Sequence, residues 1–198
     1  MAALNADGSP VTAYNVHDMR SRKETNRQLP TGASAGVRAG VLATLTMDVA
    51  LVLAGRFAGG TFTTDNIGLE LIGRWAGCLG RGRWLGRTTD ITDEPQLRGE
   101  LCIGLAVHYM TGITLTHAYL ILLRRSGLRP GLVTATAYGL ATAALPLLVM
   151  YPAMGYGCCG RRSGDAARLV RIMLLGHTAF GAGIGLWAAL LRGPAAAD

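Results

Sequence analysis

Residues 36–57 read GVRAGVLATLTMDVALVLAGRF. An α-helix needs about 20 apolar residues to cross a hydrocarbon core of about 30 Å, and this run is that long. Three further runs of similar length follow: LCIGLAVHYMTGITLTHAYLILL at 101–123, LVTATAYGLATAALPLLVMY at 132–151 and LVRIMLLGHTAFGAGIGLWAALL at 169–191. In lipid every backbone N–H and C=O must be satisfied within the protein, so such runs form helices. The expected fold class is therefore all-α: an integral membrane bundle of four transmembrane helices.

Composition agrees. Half of the 198 residues are hydrophobic and 16% are charged, against about 25% charged in a soluble domain. The 28 glycines fit helices that pack closely in lipid. The net charge of +7 comes from arginines that flank the apolar runs, which suits a membrane surface. No basic stretch interleaved with aromatics appears, so nucleic acid is excluded as a partner. The expected partner is the lipid bilayer.

Residues 1–33 are polar, with a basic cluster at Arg20, Arg22, Lys23 and Arg27, and read as a disordered tail. They are not read as a signal peptide, because the apolar run starts late and contains Asp48. A membrane domain is expected over 34–193 and a short tail over 194–198. Between the first two spans, IGLELIGRWAGCLGRGRW at 67–84 places Ile67, Leu71, Ile72, Trp75, Cys78 and Leu79 near helical spacing, with Arg74, Arg81 and Arg83 elsewhere. This predicts an interfacial amphipathic helix.

Nine of the 19 Lys and Arg residues fall on the side of the N-terminus and ten on the other, so the positive-inside rule returns a tie. A long basic tail is more easily left in the cytoplasm, which places the N-terminus there.

Three spans carry one ionisable residue each that matters: Asp48, His108 and His177. Charge within hydrocarbon is expensive and marks paired or functional groups. Asp48 lies nine residues before Phe57, His108 eight after Glu100 and His177 nine after Arg168. At 1.5 Å per residue all three sit about 12–14 Å from one face of the membrane. Small-residue stripes lead to each one: Gly36–Gly40–Thr44–Asp48, Gly104–His108–Gly112 and His177–Gly181–Gly185. Such stripes mark helix contact faces. His117, nine residues from His108, falls about 180° away on an ideal helix and reads as a surface or interfacial histidine. Thr44, Glu100, Tyr109 and Thr142 are candidate supporting residues, and Pro146 predicts a kink.

Three readings of Asp48, His108 and His177 stand open. They organise the bundle as hydrogen-bonded glue; they serve a proton or small-solute pathway; or they hold a metal, since a carboxylate with two imidazoles is a legitimate ligand set. No H-x-x-x-H spacing supports the metal. No Ser–His–Asp arrangement, phosphate-binding glycine loop or paired-carboxylate motif supports catalysis, so no cofactor is expected, and a membrane-embedded enzyme that uses the same cluster stays as the alternative. Under the pathway reading, four spans imply a homo-oligomer. Cys78, Cys102, Cys158 and Cys159 read as small apolar residues near a membrane, with a redox or metal role for the adjacent pair as the alternative. Adjacent cysteines rarely bridge each other, because the geometry is strained.

The letters Gly73-Arg74-Trp75, Gly99-Glu100, Gly104, His108-Tyr109 and Gly112 continue with Pro146, Pro152, Gly155, Gly157 and His177-x-x-Phe180-Gly181. Over about residues 36–192 this pattern resembles the bacterial multi-pass membrane proteins of domain-of-unknown-function family 2938. The resemblance implies a small helical protein of the bacterial inner membrane and brings no reaction with it. Asp48, His108 and His177 fit that pattern. Cys158-Cys159 falls where it has small residues, so no cysteine mechanism shared by the family is implied.

Overall fold

The computed structural model describes residues 33–57, 68–83 and 90–191. The basic tail, Ile67 and the short C-terminal tail lie outside the described residues. Among those described there are five helices and no strand. They are α1 (Ala33–Phe57), α2 (Leu69–Gly80), α3 (Glu100–Ser126), α4 (Leu132–Ala153) and α5 (Ala166–Leu190).

Four of the five, α1, α3, α4 and α5, are long and apolar enough to cross a membrane. Their outward faces explain why. Leu45, Val49 and Leu53 recur every four residues on α1 and are about half exposed. Val133, Leu148 and Leu190 are more exposed still. A helix of a soluble domain is polar on that side; here both faces are apolar, and the outer one is solvated by lipid.

The spans form an arc whose two ends, α3 and α4, are joined by side chains near one end only. α1 packs against both α3 and α5, α4 packs against α5, and the backbones of α3 and α4 come close at few positions. Glycine makes the contacts close. On α4 and α5, Gly139 and Gly181 face each other so tightly that a Cβ on either would overlap the opposing backbone. Without a hydrophobic drive between helices in lipid, such van der Waals contact supplies the attraction.

α3 and α4 are joined by a short turn that Gly127 starts in the left-handed conformation (φ 67°), its N–H donating to the Leu123 carbonyl. This is the usual glycine stop of a helix. Near this turn two tyrosines pin the helices. Tyr138 donates to the Leu115 carbonyl at 2.8 Å, Tyr119 and Thr134 share a hydrogen bond of 3.0 Å, and the two rings lie 5.0 Å apart. Further along, α4 opens into a π-helical turn over Pro146–Met150. Proline has no N–H and crowds the carbonyl four residues back, and a wider turn relieves both. The pinned end and the proline-widened end leave a cleft between α3 and α4.

α2 packs on the start of α3, burying Leu69, Gly73, Arg74 and Cys78. A Cβ on Gly73 would overlap the Glu100 carbonyl, and one on Gly104 the Leu69 carbonyl. Arg74, placed off the apolar face by the sequence pattern, is only 6% exposed. Its Nε and Nη2 donate to the two Glu100 oxygens at 2.9 and 2.8 Å, and its Nη1 reaches the carbonyls of Glu94 and Ile91. The Leu97 N–H also donates to Glu100. The hydrogen bonds to Glu100 raise the Arg74 pKa above its ordinary value, against the opposing effect of burial.

Candidate functional site

On α1 the contact with α3 follows an i+4 ridge. Gly36 lies under the His117 ring, Gly40 against Ile113 and Thr44 against Gly112. Asp48 ends the series. Its Oδ1 stands 2.9 Å from His108 Nε2, and its Oδ2 accepts from the Tyr109 hydroxyl at 3.0 Å. The Thr44 hydroxyl is turned back to the Gly40 carbonyl at 2.8 Å, which satisfies it inside the contact.

The position of His117 differs from the sequence expectation. An i+4 ridge does not run along the helix axis: each step of four residues advances the azimuth by about 40°. On α3 the contact crosses from one such row, His108 and Gly112, to the next, Tyr109, Ile113 and His117. His117 is therefore half-buried between α1 and α3, its Nδ1 2.9 Å from the Ile113 carbonyl, instead of facing outward.

His177 on α5 is buried and turns towards α4. Its Nδ1 lies 2.9 Å from Thr142 Oγ1, and that hydroxyl donates to the Gly139 carbonyl at 2.6 Å. Thr142 has one proton. With it directed to Gly139, the proton of the second bond sits on His177 Nδ1, and the hydroxyl oxygen accepts it. The hydrogen-bond pattern assigns the tautomer in this way.

The three ionisable residues thus form two hydrogen-bonded groups, Asp48–His108–Tyr109 and His177–Thr142. Among the described residues no three His, Cys, Asp or Glu side chains stand together as a ligand set, so the carboxylate-and-two-imidazole set of the metal reading is not assembled. Glu100 belongs to neither group, since Arg74 holds it. The reason is directional. α1 lies between α3 and α5, and the Asp48 carboxylate spends both oxygens on α3.

Both histidines nevertheless border one cavity of about 250 Å³. Its walls are chiefly apolar, from Met47 and Leu51 on α1, Ile72 on α2, Leu115 on α3 and Met173 on α5. It also meets Thr111, Leu145 and Val149, which face outward. The cavity accordingly opens on the outer surface between α3 and α4. Trp75 borders it too, and its buried indole N–H has no hydrogen-bond partner among the described residues. Periodicity alone did not reveal Trp75 as part of the site. Its place directly after Arg74, in the stretch that docks on α3, was the available signal.

The fold accounts for the letters of the sequence pattern. Gly73 and Gly104 let two backbones meet, Arg74 and Glu100 form one ion pair, Trp75 and His108 border one cavity, and Tyr109 holds Asp48. No curated protein and no solved structure matches the chain. Residues 37–191 match the family described as "Protein of unknown function (DUF2938)", and with more than half of its length matched the chain belongs to that family.

Proposed function

We propose that this multi-pass membrane protein passes protons through the cavity bordered by His108 and His177, a space whose chiefly apolar walls also suit a small and mainly apolar solute. The observation that supports this reading is the shared cavity: two imidazoles from different spans reach the same space of about 250 Å³. Each ring has one nitrogen engaged, by Asp48 or Thr142, and a second to offer. The mouth between α3 and α4 faces lipid, so the solute enters sideways from the bilayer. Four spans make a small path, and the working unit under this reading is a homo-oligomer.

The Asp48–His108 pair is the proton carrier in this scheme. A carboxylate beside a neutral imidazole has a net charge of −1. A proton taken up by His108 converts the two into a neutral ion pair, which apolar surroundings tolerate better. Tyr109 keeps the carboxylate oriented throughout.

Proteoliposomes with an internal pH dye test this directly, using the proton itself as probe under an imposed membrane potential. Wild-type protein is expected to pass protons faster than empty liposomes, with the flux lost in Asp48→Asn and His108→Gln. Flux equal to that of empty liposomes would refute the proposal. A purely structural role is favoured by the use of both Asp48 oxygens on α3. It predicts instead that Asp48→Asn lowers thermal stability while wild type carries no flux.

A further inference from the structure

Cys158 and Cys159 lie in the turn between α4 and α5, away from the cavity and its histidines. Consecutive side chains normally diverge: they point to opposite faces of a strand and lie about 100° apart around a helix. Here the two sulfurs stand 3.8 Å apart. The cause is the backbone. Cys159 has φ 54°, the one positive φ of a non-glycine residue among those described, and Gly157 and Gly160 on either side have φ 71° and 73°. The left-handed conformation is costly for a residue with a Cβ. The turn is held in it by Gly160 N–H to Gly157, Arg162 N–H to Tyr156 and Ser163 Oγ to Gly160.

Cys158 is exposed and Cys159 partly so, packed beside the apolar core that Tyr156 and Leu169 also adjoin. A disulfide would need the sulfurs to close to about 2.05 Å. Two thiolates that share one central atom at bonds of about 2.3 Å stand about 3.8 Å apart when the angle is tetrahedral. The observed separation matches the second arrangement. A tetrahedral zinc site takes four protein ligands, and among the described residues no third Cys, His, Asp or Glu joins the pair. The chemistry that two thiols satisfy alone is a centre with two exchangeable positions.

We infer that Cys158 and Cys159 form a chelating dithiol site for a monosubstituted trivalent arsenical. The step is a condensation without redox change. Two As–S bonds form, the As=O bond breaks, and the two thiol protons leave with that oxygen as one water. A trivalent arsenic centre is pyramidal, with a narrower angle between its sulfurs than a tetrahedral one, so the two sulfurs close by a fraction of an ångström on chelation. A turn that already holds them side by side does this with little reorganisation.

The test uses the full chain in detergent with phenylarsine oxide, read by intact mass and free-thiol titration. The expected result is one adduct, at the mass of the reagent less one water, with two thiols lost. It survives excess monothiol and is removed by a dithiol. Cys158→Ala and Cys159→Gly lose the monothiol-resistant adduct; glycine at 159 preserves the left-handed turn, and circular dichroism reports the fold. A variant with both Cys78→Ser and Cys102→Ser keeps it. An adduct that persists in Cys158→Ala, or one that monothiol strips from wild type, overturns the assignment.

Discussion

At the scale of single residues, Asp48 is the most informative side chain. It satisfies two donors at once, the His108 imidazole and the Tyr109 hydroxyl. Asp48→Ala leaves both unpaired within the bundle and should cost about 1–3 kcal/mol, measured by unfolding in detergent. Tyr109→Phe removes one donor and should cost about 1 kcal/mol. Because the two residues share one contact, the double variant should lose less than the sum of the singles. The second informative pair is Arg74–Glu100. Glu100→Gln removes the charge that faces a guanidinium only 6% exposed. A loss of about 1.5–3 kcal/mol is expected in the same assay, the range for hydrogen bonds to a charged group.

Helices in this protein meet where side chains are missing. The α2–α3 contact depends on Gly73 and Gly104, each placed against a carbonyl of the other helix. Gly73→Ala or Gly104→Ala must push the two backbones apart, and a loss of about 1–3 kcal/mol is expected from overpacking. Gly80, at the end of α2, has open space where a Cβ would stand. Gly80→Ala should be neutral or stabilising by up to about 1 kcal/mol, because alanine is the better helix former. Thermal unfolding of the three variants side by side checks the contrast. α4 shows the opposite device. Its π-turn at Pro146 holds α4 away from α3 on one side of the cavity, while Tyr119 and Tyr138 close the other end.

For the molecule as a whole, four alternating spans put the start of α1 and the end of α5 on one side of the membrane, with the α3–α4 turn. The turn before α3 and the turn between α4 and α5 lie on the other. Single cysteines at the exposed positions Ser34, Ser126 and Leu190, in a background without native cysteines, should all react with an impermeant maleimide from one side. Cysteines at Thr92 and Asp165 should react from the opposite side only. Labelling of Ser126→Cys and Thr92→Cys from the same side would break the four-span topology.

The sequence by itself determined the spans and their length, because the thickness of hydrocarbon and the need to satisfy every backbone group leave little freedom. The run at 36–57 became α1, and the other three runs became α3, α4 and α5 with ends shifted by a few residues. It also placed the ionisable residues along their helices, since 1.5 Å per residue is fixed. The 2.9 Å contact between Asp48 and His108 needs that common depth. Only the tertiary structure decided which neighbour each residue met. The order of helices in the arc, α3–α1–α5–α4, is written in no local pattern. That order turned Asp48 to α3 and His177 to Thr142 on α4, so the two histidines share a cavity without sharing the carboxylate. Crossing geometry likewise brought His117 into the α1–α3 contact, because packing follows winding ridges and not straight lines along an isolated helix. The helical pattern of 67–84 showed Arg74 only as lying off the apolar positions; the fold set Glu100 opposite it. Depth is a one-helix property; partnership depends on at least two.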